Sequence, residues 1–142
     1  MIYSQKGSVS RIVLGCFIVL AFCFALTWPK YSKQRNIKQL SQAAQWAKAL
    51  AFAQESYKQA HGTYATQFND LDLAIPCPQV VQKGKVVLEC PHFTYHMEES
   101  AIIKANHKSL PVGLQVDIAQ GTVACEYPQG DWAGKDLCSH LQ

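Results

Sequence analysis

Charge is missing from one long stretch of this chain, and what remains is nearly balanced. From Ile12 to Trp28 there are seventeen residues without a single Asp, Glu, Lys or Arg. Of the thirteen Lys and Arg, Lys6 and Arg11 precede that stretch, which leaves eleven against ten Asp and Glu in the rest. A nucleic-acid surface needs a concentrated basic patch, so no nucleic-acid partner is expected. Gly-x-Ser-x-Gly is absent, which removes the nucleophile elbow of one large hydrolase class. No glycine-rich phosphate loop is present either. Internal repeats and low-complexity segments are also missing. No constellation of residues supports an enzyme, and no cofactor is implied.

What is present begins with the uncharged run. A seventeen-residue helix is about 26 Å long at about 1.5 Å per residue. That nearly matches a hydrocarbon core of about 30 Å. Three readings compete. A cleaved secretory signal needs a small-residue site near the end of the run, and Cys23-Phe24-Ala25 is a poor one. A lipoprotein signal at Leu14-Gly15-Cys16 leaves only Ile12 and Val13 as its apolar region. A retained membrane helix fits best, because a helical pattern continues beyond Pro29. Lys30, Lys33, Arg35 and Lys38 follow the run, so the positive-inside rule alone argues for a cytoplasmic head. The cysteines argue the other way, and they prevail. Cys16 and Cys23 read as small apolar filler within the run.

Proline can kink a helix without ending it. After Pro29, Ile37, Leu40, Ala44, Ala47, Leu50 or Ala51, Gln54 and Tyr57 recur at three- and four-residue steps, a helical stripe. Six alanines between Ala43 and Ala53 add propensity. Gly62 suits the C-terminal cap. The expected helix runs from about Ser8 to His61. Trp46 and Phe52 read as core or rim residues.

Asp70, Asp72 and Pro76 mark a polar connection. Turn-bounded runs follow at Lys85 to Cys90, His92 to Met97, Ala101 to Ala105, Val112 to Ile118, and Thr122 to Tyr127 after Gln120-Gly121. An antiparallel sheet of about four strands packed on one helix is an α+β architecture. Cys77, Cys90, Cys125 and Cys138 lie in this half. An even count after an apolar N-terminal segment favours disulfides and an oxidising compartment. Four cysteines allow three connectivities. Local pairing, at equal thirteen-residue separations, is the simplest. Cys77, Cys90, His92 and His96 make a zinc set conceivable, but no tight Cys-x-x-Cys or His-x-x-x-His accompanies them, so no metal is expected.

Taken together, these residues resemble a type IV pilin or type II secretion pseudopilin. In that family a short basic leader ends in Gly, where a prepilin peptidase cuts. Gly7 would end the leader and Ser8 would begin the mature chain. Pro29 then falls at the twenty-second mature position, where the family has Pro, and Lys30-Tyr31 follows as the family's basic and aromatic pair. Ala51 to Tyr57, Gly62-Thr63-Tyr64-Ala65 and Phe68 to Leu73 resemble the family's helix end and the loop behind it. Cys125 and Cys138 resemble its cysteine-closed C-terminal loop.

The resemblance implies a leader over 1–7, a transmembrane and assembly helix over 8–29, and a globular head over 30–142. It implies a single-pass protein of a bacterial inner membrane with a periplasmic head, drawn after assembly into a periplasmic or extracellular filament. Its partners would be other pilin subunits, a prepilin peptidase, an inner-membrane assembly platform and membrane lipid. Pro128, Gln129, Asp131, Trp132 and Lys135 would be exposed or contact-making, although a lone Trp more commonly packs beneath its own loop. Asp70 and Asp72 occupy the region where some pseudopilins hold calcium, but two carboxylates are too few for such a site.

Two departures shape the expectation. The family's Glu at the fifth mature position is Ile12 here, and Arg11 precedes it. The family's first mature Phe is Ser8. A minor or divergent pilin-like subunit follows, with Arg11, Ile12 and Pro29 as its assembly residues. Arg11 either pairs with the Glu of an adjacent subunit or snorkels to the headgroups. The alternative function is a membrane-anchored periplasmic binding domain that never polymerises.

Overall fold

The computed structural model describes residues 6–98 and 101–141, with side chains from residue 10 onward. Met1 to Gln5 of the expected leader, and the side chain of Ser8 at its expected cleavage point, lie outside the described residues. The order is one long helix, a 3₁₀ turn, six strands and a short final helix. It is the α+β arrangement expected, a long N-terminal helix with an antiparallel sheet packed on it.

Helix α1 spans Lys6–His61 with Pro29 inside it. It ends where Gly62 adopts φ +80° and donates its backbone N–H to the Lys58 carbonyl at 2.7 Å. A left-handed φ is open to glycine without a Cβ clash, which is why the helix stops there.

The chain divides into two compact units between Asn36 and Ile37. Ile37 is the first apolar residue of α1 packed against the head core. The first unit is helical. The second contains the rest of α1 and everything after it.

In the second unit the helical stripe is the core. Leu40, Ala44, Ala47, Leu50, Ala51 and Gln54 are buried, and Ile37 and Tyr57 pack at its margin. The strands are β1 (Gln79–Gln82), β2 (Lys85–Glu89), β3 (Phe93–Glu98), β4 (Ile102–His107), β5 (Gly113–Asp117) and β6 (Thr122–Glu126). They form one antiparallel meander in sequence order. Leu88, Tyr95, Ala105, Leu114 and Cys125 pair in one row across five strands, and all five belong to the core or its margin. Met97, Ile103, Val116 and Val123 form a second such row. Period-2 alternation puts the intervening residues, among them His96, Lys104 and Gln115, on the other face.

Six strands replace the four or so expected. All five named runs are strands, and β1 is added through the Lys83-Gly84 turn. Both turn residues have positive φ, 51° and 78°. Two consecutive left-handed residues match the twist of a two-residue hairpin, so the turn pairs β1 with β2. The final helix α2, Trp132–Cys138, was also not anticipated.

Candidate functional site

Three features carry the sequence-derived site residues: the first unit of α1, the disulfide-closed loops, and the open flank of the head.

In the first unit, Arg11, Ile12 and Pro29 are exposed on one uninterrupted helix. Its most apolar window has a mean hydropathy of 2.3, and none of that window is buried in the chain. The helix is therefore long and apolar enough to span a membrane. Pro29 has no N–H to donate within the helix. Side-chain hydroxyls bond the backbone on either side of it. Thr27 Oγ1 donates to the Cys23 carbonyl at 2.9 Å, and Ser32 Oγ donates to the Pro29 carbonyl at 3.0 Å. Cys16 and Cys23 are free, exposed thiols.

Both head disulfides are local. Cys77 bonds Cys90, with Cα atoms 5.0 Å apart, and Cys125 bonds Cys138, with Cα atoms 5.7 Å apart. The first pair uses both thiols of the zinc set considered above, and among the described residues no group of three His, Cys, Asp or Glu could hold a metal. Each loop closure contributes about 3 kcal/mol in the chain-entropy model.

The second bond ties β6 to α2. Asp131 caps α2, its Oδ1 accepting from the Ala133 N–H at 3.1 Å. Gly134 is buried against Tyr127, where a Cβ would meet the tyrosine Cβ at 2.7 Å. Close packing thus needs glycine at that position. Trp132 does not pack beneath the loop. It is 78% exposed, with Lys135 Nζ 5.3 Å from its ring centroid. The reason is its place at the first position of α2, whose buried side is filled by Gly134, Leu137 and Cys138. Pro128, Gln129 and Lys135 are exposed as the resemblance implied, and Asp131 is half-buried.

On the helix flank, Phe52 is 77% exposed, against the expectation of a core or rim position, whereas Trp46 is half-buried at the core margin. Phe52, Ser56, His61, Asp70 and Asp72 line an open groove of about 570 Å³. The two aspartates share this groove without a third carboxylate.

Two polar residues matter more than sequence reading indicated. Gln54 sits in the core stripe, yet it is the buried anchor of the turn after α1. Its Nε2 donates to the Ala65 carbonyl at 3.0 Å, and its Oε1 accepts from the Ala65 N–H at 2.9 Å. It also contacts Met97 Sδ. His107 Nδ1 accepts from the backbone N–H groups of Ser109, at 3.1 Å, and Leu110, at 3.0 Å. Burial, reinforced by nearby His92, lowers the His107 pKa below the ordinary value. Only the 3.6-residue period pointed to Gln54, and no signal pointed to His107.

The outer sheet face is polar. His96 Nε2 lies 2.9 Å from Asn106 Nδ2, and Lys104 pairs with Glu98 at 3.3 Å. Burial lowers the His96 pKa, against an opposing pull from Glu98. Burial pushes the Tyr95 hydroxyl up to about 12.

No family model matches this chain, and no curated protein or solved structure matches it.

Proposed function

We propose that this chain is a structural subunit of a type IV pilus or pseudopilus-like filament, stored in a bacterial inner membrane and assembled through its N-terminal helix. One observation carries the reading. A helix whose first unit leaves a long apolar surface wholly uncovered continues, through Pro29, into a segment that packs a six-strand antiparallel sheet. An apolar surface of that length needs either lipid or other apolar helices around it. Storage in a membrane and packing in a filament meet that need in turn. The head faces the periplasm in this reading, because two disulfides belong in an oxidising compartment. Its partners are other pilin subunits, a prepilin peptidase acting between Gly7 and Ser8, and an inner-membrane assembly platform.

A second reading, a static anchored binding domain, is favoured by the exposure of Trp132 on a disulfide-closed loop. Intact mass separates the two. Protein is taken from membranes and from sheared filaments, with and without reduction. Loss of Met1 to Gly7, with the mature form in sheared material, supports the filament subunit. A full-length form confined to membranes overturns it. Reduction should add about 4 Da, two hydrogens for each disulfide.

A further inference from the structure

The first acidic residue of the sequence is Glu55. Every charge before it is positive, and Lys30, Lys33 and Arg35 crowd directly behind the uncharged run. All three are exposed, as are Trp28 and Tyr31 beside them. Helix geometry sets their arrangement. At about 100° per residue, Trp28, Tyr31 and Arg35 share one flank, while Lys30 and Lys33 share another. The cations therefore form a collar rather than a stripe. Lys30 lies about 3 Å along the axis beyond Trp28, and Arg35 about 10 Å. The headgroup layer on one side of a bilayer is about 5–8 Å deep, and long basic side chains reach a few ångströms along the surface.

We infer that Lys30 and Arg35 form a binding collar for the phosphates of anionic lipid headgroups, with Trp28 and Tyr31 seated at the same interface. The inference rests on the membrane-spanning reading above and adds the lipid class to it. Three observations favour lipid over an acidic protein. The collar abuts the apolar run without a break in the helix. Interfacial aromatics interleave with the cations, as they do where a helix leaves the bilayer. The helix itself supplies no carboxylate to neutralise Lys30 or Arg35, whose neighbours three and four residues away are Leu26, Thr27, Gln34, Tyr31, Ser32, Gln39 and two further lysines. The collar also accounts for basic residues on the side of the membrane where the positive-inside rule does not ask for them. They hold headgroups of the leaflet through which the helix leaves.

The test uses the full chain reconstituted into vesicles of phosphatidylcholine and phosphatidylglycerol at about 2:1, a surface charged enough to attract a polybasic segment. Spin-labelled lipids of each class report their relative association with the protein. The expected result is a preference for phosphatidylglycerol of about fivefold or more, the worth of one cation near a charged surface. It should collapse towards unity at about 1 M salt, where the screening length is about 3 Å. The variant carrying Lys30→Gln and Arg35→Gln should lose the preference, and one carrying Lys30→Arg should keep it. An inserted chain without the preference, or a preference that the Gln variant retains, overturns the collar and leaves the membrane helix standing. A chain that carbonate strips from the vesicles overturns both. Loss of co-assembly in the Gln variant with the lipid preference intact assigns the cations to a protein partner and overturns the collar.

Discussion

The two halves of α1 obey the same local rules and meet opposite fates. Ile12, Phe17, Leu20 and Phe24 are exposed, whereas Leu40, Ala44, Ala47 and Leu50 are buried against the sheet. Both lie in one continuous helix, so helix formation is not what separates them. The difference is where the partner of each apolar surface resides. For the second half it is the rest of the chain. The first half has none among the described residues. Burial at about 25 cal/mol per Å² stabilises the head already at folding, while the same term is not realised by the first half within the described residues.

This contrast can be broken from either side. The largest effect is expected at Phe68, the bulkiest wholly buried side chain, in the 3₁₀ turn after α1. Phe68→Ala should lower head stability by about 3–5 kcal/mol, the usual cost of an emptied aromatic site. Denaturant unfolding measures it, and membrane retention should not change. A loss below about 1 kcal/mol would mean that the site collapses around the smaller residue. Leu20→Arg should do the converse. A centrally placed cation costs about 2.5–3.5 kcal/mol of insertion. Membrane-bound protein should fall while head unfolding stays where it was. If both quantities moved together, the two units would not be energetically separate.

The smallest effect is a pH dependence confined to the head. His107 and His96 both have lowered pKa values, chiefly through burial. The unfolded chain therefore takes up protons first as pH falls, and folding is opposed. The neutral histidines' contribution is complete above the ordinary value near 6.5 and is lost as pH falls from there through the lower folded values. His107 explains the direction physically, since a proton on Nδ1 would face two backbone N–H donors. The denaturation midpoint should drop between about pH 7 and pH 5 and drop less in His107→Asn. A flat midpoint in the native chain would remove His107 as the cause.

Much of this was legible from residue spacing. The steps from Leu40 to Gln54 named the buried face of α1, and Gly62 named its end, because burial and helix period act on the same residues. Five strands were legible for the same reason. β1 was not. Gln-Val-Val-Gln is short and lies close behind Pro76 and Pro78, and only pairing with β2 makes it a strand. α2 was hidden by Pro128, Gly130 and Gly134, residue types that disfavour a helix. Its glycine is there because Tyr127 packs too close for a Cβ. The exposure of Phe52 and Trp132 could not be read at all. A lone aromatic's side of a helix depends on what the tertiary fold leaves uncovered, and residue type carries no record of that.

The bond between Cys125 and Cys138 has a consequence for the sheet's borders. A meander has two outermost strands, each presenting unpaired backbone donors and acceptors to any passing chain. One border, β1, is four residues long and followed at once by Lys83 in its hairpin turn, so it offers a poor template. The other, β6, is covalently tied to α2, which lies in contact with it. Oxidation therefore does more than stiffen a loop. It keeps a short helix close to the strand where uncontrolled growth of the sheet would otherwise begin, and rising light scatter on selective reduction would register its departure.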